Sequence, residues 1–348
     1  MIKIQKLVRP HMKRITPYAS ARNIYKGGDF ELMDANENPF GMYNRYPDPT
    51  QDKLKAALSR IKKVPPEKIF LGNGSDEIID LLIRLFCEPG QDKVLAFTPT
   101  YGMYKVCAEI NNIKMIEEPL SSDFQISTPA LHERFNDTSI KICFICSPNN
   151  PTGNSINGKD LKYILRTFKG VVVIDEAYID FSSKASMIKY LQQYPQLVVL
   201  QTLSKAYGMA GLRIGMAYNH GEIIQLLNKI KAPYNISDVN QKQAIAILNA
   251  FKNNPSTKVI IRERKRLKSA LSKNGSIKYI YPSEANFLLC KVNDASSIFQ
   301  FLLDNGVVIR DRSNEIPNTV RISVGKPEAN NKIIDLLKAY NETESTIS

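Results

Sequence analysis

The chain has 348 residues, of which 43% are hydrophobic and 23% charged, with five cysteines and a formal net charge of +13. That length suits one large domain with a smaller one beside it, and no apolar run approaches the roughly 20 residues a membrane helix needs. The positive charge raises nucleic-acid binding, but the basic residues are scattered and no known binding motif accompanies them, so the excess reads as that of a basic housekeeping protein, or more functionally as a draw for anionic substrates.

The start, M-I-K-I-Q-K-L-V-R-P, lacks the apolar core and cleavage site of a secretory signal, which makes a cytoplasmic location the default expectation. Residues 1–30, basic in V-R-P-H-M-K-R, read as an N-terminal arm lying with the small domain and the pocket, or more plainly as a loose tail. Residues 31–240 read as the large domain. Its first clear helix runs from Ser75 to Phe86, where Ile78, Ile79, Leu82, Leu85 and Phe86 recur at helical spacing and Ser75 or Asp76 can cap the start. Because this helix follows G-N-G directly, its free N–H groups and positive dipole end form an anion site. A dinucleotide fingerprint is disfavoured, since the third glycine position holds Glu77.

Short β-rich runs then alternate with helix-like stretches: V-L-A-F near 94, I-C-F-I-C near 143, V-V-V-I-D near 171, L-V-V-L near 197 and M-A-Y near 216. Near-continuous apolar strands between helices imply a mostly parallel sheet buried on both faces, an α/β domain. Within the second of these runs Cys143 and Cys146 would point to opposite faces of a strand as core residues, and five cysteines without framework spacing argue against a disulfide scaffold. From 241 to 348 polar-rich helices, including R-E-R-K-R-L-K, accompany A-N-F-L-L-C-K-V, V-V-I-R and V-R-I-S-V, and read as a smaller α+β domain. The last residues, N-E-T-E-S-T-I-S, carry no packing pattern and are expected to fray. His11, His132 and His220 match neither a metal spacing nor a triad order, so no metal is expected.

Four segments carry the chemistry: G-N-G-S-D-E (72–77), S-P-N-N-P-T-G (147–153), V-V-V-I-D-E-A-Y (171–178) and T-L-S-K-A-Y-G-M-A-G-L-R-I-G (202–215). Each lies at or just beyond the C-terminal end of an expected strand, the edge where open α/β sheets bind ligands. An acid ending the V-V-V-I run is poorly solvated, so Asp175 needs a cationic partner unless it merely caps a helix. Lys205 stands beside a glycine-rich turn and Arg213. Desolvation and cationic neighbours would keep its amine neutral and nucleophilic.

With I-T-P-Y-A-S-A-R (15–22), A-N-E-N-P (35–39), R-Y-P-D-P (45–49) and D-E-A-Y-I-D-F (175–181), these motifs resemble the pyridoxal-phosphate-dependent aminotransferases of fold type I over nearly the whole chain. Within them the chain looks like the histidinol-phosphate aminotransferase family. The resemblance implies a large pyridoxal-phosphate-binding domain and a small C-terminal domain. It also implies reversible amino transfer between L-histidinol phosphate and 2-oxoglutarate, giving imidazole acetol phosphate and L-glutamate in histidine biosynthesis. Lys205 would hold the cofactor through its amine and later move the substrate Cα proton. Asp175 would face the ring nitrogen, Asn150 and Tyr178 the phenolic oxygen, and Tyr101 the ring. Gly74, Ser75, Asp76, Thr202, Ser204 and Arg213 would hold the phosphate, joined by Tyr46 of a second subunit in a homodimer with shared sites. Arg310, Arg321, Tyr18 and Asn36 would receive the substrate, the arginines through forks suited to carboxylate or phosphate. A threonine-phosphate decarboxylase or an aromatic aminotransferase is the alternative, because the same cofactor-facing residues would serve either.

Overall fold

Val, Ile and Leu runs with apolar residues at every position gain most when both faces are covered, each fully buried side chain contributing roughly 1.5–3 kcal/mol. The computed structural model describes residues 2–23, 30–250 and 255–347, so residues 1 and 24–29 of the expected arm lie outside the described residues. Its main strands are β1 (Ile69–Asn73), β2 (Lys93–Thr98), β3 (Lys114–Pro119), β4 (Ile140–Cys146), β5 (Val171–Asp175), β6 (Leu197–Thr202) and β7 (Ile214–Tyr218). They form one sheet in the order β1-β7-β6-β5-β4-β2-β3, with β7 antiparallel to both neighbours and the remaining pairs parallel. This is the α/β sheet expected from the alternation. The runs named in the sequence omit β1 and β3. β3 is an edge strand, K-M-I-E-E-P, exposed or half-buried throughout, so it carries no continuous apolar signal.

Along β5 the pleat sorts side chains between two layers. Val172 and Ile174 join a core with Leu54, Leu58, Ile164, Ala244 and Leu248, under the Asp52–Lys62, Gly158–Thr167 and Asp238–Ala250 helices. Val171 and Val173 face the opposite core with Ile79, Leu82, Tyr104 and Leu227, under the Ser75–Phe86, Met103–Ile110 and Glu222–Ile230 helices. Cys143 and Cys146 fall on different sides in the same way, and all five cysteines are buried and free. Ile4 and Val8, from the start of the chain, insert into the second core, while Arg9 clamps Glu88 with two hydrogen bonds of 3.0 Å.

The second sheet is antiparallel, with β8 (Ile277–Ile280), β9 (Phe287–Val292), β10 (Arg310–Asp311) and β11 (Thr319–Ser323) in the order β10-β11-β9-β8. Leu267, Leu288, Cys290, Ile298, Val320 and Leu337 form its core with three covering helices. Phe287 points the other way and joins the large core, tying the two units together. The expected frayed tail is instead helical: the last helix runs from Pro327 to Ile347, because Ile333, Leu337 and Tyr340 anchor it and each further turn propagates without a new nucleus. Among the described residues no helix is long and apolar enough to cross a membrane.

Candidate active site

Parallel pairing puts the C-terminal ends of β1, β2, β4, β5 and β6 on one edge, and the reversal of β7 brings its first residue there as well. Thr202 lies opposite Gly215 and Asn73 opposite Ile214, so Arg213, just before β7, sits between the β1 and β6 ends. Gly74 has φ +82 and caps the Ser75–Phe86 helix without any side-chain bond, in place of the Ser75 or Asp76 cap expected from sequence. A capping side chain would occupy the first-turn N–H groups, and its absence leaves that helix start open. A Cβ at Gly74 would fall 2.4 Å from Arg213 Nη2, and one at Gly215 would fall 2.4 Å from Gly74 C and Ser75 N. Gly215 is therefore required by close approach to backbone and Gly74 by its positive φ, and the Arg213 guanidinium sits over the helix N-terminus.

Around this cradle the polar groups are already engaged. Asp76 accepts from the Tyr101 hydroxyl at 2.9 Å and lies 3.5 Å from Arg213 Nη2, so its carboxylate takes part as well as its backbone. The Thr202 hydroxyl donates to the Ile214 carbonyl at 3.2 Å and accepts from Ser204 N–H at 3.1 Å, bracing the turn that presents Ser204 and Lys205.

Asp175 continues the Val171–Val173 face and is buried. Burial pushes its carboxyl up to about 6, against hydrogen bonds from the Tyr104 hydroxyl at 2.8 Å and the Ala177 N–H at 3.0 Å. A carboxylate held in that setting invites a cation. Lys205 is exposed to solvent, with its amine 5.8 Å from the Tyr178 ring centre. Burial lowers its proton affinity, Arg321 and Arg213 lower it further, and Asp175 opposes them.

Two further enclosed lysines have their amines occupied. Burial brings Lys231 down to about 8, but its amine donates to the Pro49 carbonyl at 2.7 Å and to Asn235 at 2.9 Å. The Lys62 amine is paired with Asp180 at 3.0 Å, and against its burial that pairing raises its proton affinity.

Tyr178 is buried edge-on against Phe287, their centroids 5.3 Å apart. Burial holds its phenol protonated, with Arg321 pulling the other way. Arg321 spans the two units: its guanidinium carbon lies 5.2 Å from the Phe287 ring centre, and its Nη1 donates to Asn150 Oδ1. Since arginine only donates, the amide N–H groups of Asn150 remain turned elsewhere. Arg310 is the cross-strand partner of Arg321 and is exposed, while Arg312 pairs with Glu315.

Two expected residues stand apart from Lys205 within one chain. Tyr18 is 73% exposed, and Tyr46, 49% exposed, stacks on Tyr234 at 4.5 Å. Both line a cleft of about 1500 Å³ with Arg22, Lys55 and Lys231, and neither Lys205 nor Asp175 belongs to it. Asn36 is exposed with φ +53. A second cleft, of about 1060 Å³, touches Ile174 and Glu176, on the strand face opposite Asp175, and so is separate from the site.

Sequence reasoning passed over Glu37 and Tyr104. Glu37 accepts from Arg22, Arg45 and the Tyr46 N–H, which explains how so polar a segment holds its shape. Tyr104 is an ordinary aromatic at a core position of its helix, and only its contact with Asp175 distinguishes it.

The sequence pattern of aminotransferase class I and II matches residues 21–337. The chain belongs to that family. A histidinol-phosphate aminotransferase of Flavobacterium psychrophilum is 48% identical over 341 residues, covering 97% of this chain and 98% of the relative. The crystal structure of the histidinol-phosphate aminotransferase from Clostridium acetobutylicum matches with a TM-score of 0.79 at 26% identity, over 89% of this chain and 98% of that one. The corresponding Sinorhizobium meliloti enzyme, solved in complex with pyridoxal-5'-phosphate, matches with a TM-score of 0.76 at 25% identity, over 85% and 81% of the two chains. For this aminotransferase the sheet edge bearing Lys205 and Asp175 is the natural place for chemistry, as open α/β sheets bind ligands at such edges.

Proposed function

We propose that this aminotransferase moves the amino group of L-histidinol phosphate to 2-oxoglutarate, giving imidazole acetol phosphate and L-glutamate in histidine biosynthesis, with pyridoxal phosphate as cofactor. The observation that carries the reading is near-half identity to a histidinol-phosphate aminotransferase over almost the full length of both chains.

The residues present fit that cofactor. The buried Asp175 carboxylate suits the protonated ring nitrogen, and the Gly74–Gly215 contact with Arg213 leaves a helix start open for a phosphate. When bound, the cofactor supplies a conjugated ring that draws off the negative charge left at the substrate Cα. Lys205 would hold the cofactor through its amine, and its depressed proton affinity lets the freed amine take the Cα proton and return it. Asp175 keeps its negative charge against the ring nitrogen. The Asn150 amide and the Tyr178 hydroxyl would donate to the phenolic oxygen, and Tyr101 would lie against the ring. Gly74, Ser75, Asp76, Ser204 and Arg213 would hold the phosphate, with Thr202 fixing the Ser204 turn.

Arg321 would fork onto a substrate carboxylate or phosphate, its orientation set by Asn150 and Phe287, with Arg310 adding charge from the neighbouring strand. Arg321→Ala is expected to raise KM for glutamate by about tenfold to a hundredfold, the worth of a charge-assisted pair. Arg310→Ala should raise it less. Steady-state kinetics with each substrate varied in turn checks both, and an unchanged KM in Arg321→Ala removes it from the substrate site.

Tyr18 and Tyr46 would complete the site of a second subunit, since in their own chain they line a cleft away from Lys205, and Asn36 would line the substrate pocket. A homodimer working in the cytoplasm follows as part of the proposal. The deciding experiment offers purified holoprotein histidinol phosphate, an aromatic amino acid and threonine phosphate as amino donors, with 2-oxoglutarate as acceptor. Glutamate should form fastest from histidinol phosphate. Carbon dioxide release from threonine phosphate, or faster transfer from the aromatic amino acid, would replace this assignment.

A further inference from the structure

We propose that Tyr104 is a positioning residue of the active site, its buried hydroxyl holding the Asp175 carboxylate ionised and turned toward the ring nitrogen of the cofactor. The inference rests on the pyridoxal-phosphate reading above and deepens it. The Tyr104 hydroxyl meets Asp175 Oδ2 at 2.8 Å, and the Ala177 N–H meets Oδ1 at 3.0 Å, so each oxygen of the carboxylate is tied down once. With both oxygens fixed, the plane of the carboxylate is fixed too.

The Tyr104 ring has little freedom. It is fully buried, stacks on Phe144 with centroids 4.8 Å apart and planes 9° apart, and meets the Tyr101 ring edge-on at 5.7 Å. Tyr104 follows Tyr101 by three positions, so one short stretch at the start of the Met103–Ile110 helix supplies both the aromatic at the cofactor ring and the donor behind the carboxylate.

The charges around Asp175 show why a donor is needed. Burial disfavours its charge most, and Asp76 adds repulsion from the neighbouring helix start, while Lys205 gives a weaker attraction. Cys146, Tyr101 and Tyr178 also face it, and burial keeps all three protonated and neutral. The Tyr104 hydroxyl is the strongest influence favouring the ionised form. It keeps its own proton, because burial and Asp175 raise its proton affinity well above that of a free tyrosine. Without this donor, a carboxyl already held near 6 would take up its proton more readily, and a neutral acid does not hold a protonated ring nitrogen.

Tyr104→Phe keeps the ring and removes the hydroxyl. In the cofactor-free protein, a carbon-13 NMR titration of the Asp175 carboxyl should show about a tenfold or larger gain in proton affinity over the unaltered chain. In the loaded protein, with nitrogen-15 in the cofactor ring, the ring-nitrogen resonance should move toward its deprotonated position. The same variant should lose about tenfold in kcat with KM nearly unchanged, as expected for an interaction that matters most in the transition state. A merely structural tyrosine would leave the carboxyl titration in place, and an unmoved titration overturns the proposal.

Asp175→Asn separates this from failure of the parent reading. If Asp175→Asn shifts the ring-nitrogen resonance and Tyr104→Phe does not, the role of Tyr104 falls alone; if neither shifts it, the pairing of Asp175 with the cofactor falls. Should the phenylalanine chain not fold, 3-fluorotyrosine at position 104 keeps the ring and strengthens the donor. It should lower the proton affinity of Asp175, and no change there also overturns the proposal.

Discussion

Lys205→Ala is expected to lose amino transfer by more than about a thousandfold, because the change removes both the nucleophile and the general base. The physical basis is the site, not the residue type. Lys62 is more enclosed than Lys205, but it is paired with Asp180, and Lys231 gives its hydrogens to Pro49 and Asn235. Only a lysine with an unoccupied amine can attack an aldehyde, and the Lys205 amine faces the Tyr178 ring. Borohydride reduction of the loaded protein, followed by peptide mass spectrometry, should place the cofactor mass on residue 205 and nowhere else. In Lys205→Ala that mass should vanish while the melting curve of the cofactor-free protein stays close to that of the unaltered chain. Cofactor mass on another lysine with turnover preserved would move the nucleophile elsewhere.

Asp175→Asn is expected to have opposite effects on stability and on activity. A carboxyl at about 6 when folded and about 3.8 when unfolded binds its proton more tightly in the folded state. It therefore weakens the fold as pH rises through that window, and the whole penalty is present above it. Two units of difference correspond to at most about 3 kcal/mol, and the bond that asparagine cannot keep to the Ala177 N–H or the Tyr104 hydroxyl reduces the gain to about 1–2 kcal/mol. At pH 7.5 the cofactor-free variant should thus show a higher urea midpoint than the unaltered chain. Near pH 3.5 that advantage should vanish or reverse, since both side chains are then neutral and only the bond lost by asparagine remains. Activity should fall by about a hundredfold or more, because a neutral amide gives the ring nitrogen no counter-charge. A cofactor-free variant that is no more stable at pH 7.5 would mean that Asp175 is not strained by burial, and near-normal turnover would remove its assigned role.

Much of this site can be read in one dimension because strong local rules meet there. V-V-V-I-D announces itself: four residues that must be buried end in one that resists burial, so the acid needs a purpose. G-N-G-S-D-E reads as a helix start, although the cap went to Gly74 instead of Ser75 or Asp76. The glycine that leaves the donors free also admits Arg213. β3 was missed because an edge strand needs one good face at most, and its residues are largely exposed. The tail beyond Tyr340 was expected to fray because its own side chains offer nothing to pack, yet a helix already nucleated by Ile333 and Leu337 continues into it.

What the sequence by itself determined is the inventory: a buried parallel sheet, a lysine, an acid and an anion-binding helix start, each set by rules that act over a few residues. Strand alternation and helix periodicity are local, so they survive in one dimension. Only the tertiary structure decided which groups meet. Arg213 reaches Gly74 because β7 runs backwards between β1 and β6, Arg321 reaches Asn150 because Phe287 docks the small sheet on the large core, and Tyr104 reaches Asp175 because both face the same layer of the sheet. Those encounters join residues 71 to 171 positions apart, or hang on the order and direction of strands, and no short-range rule of backbone or burial encodes them.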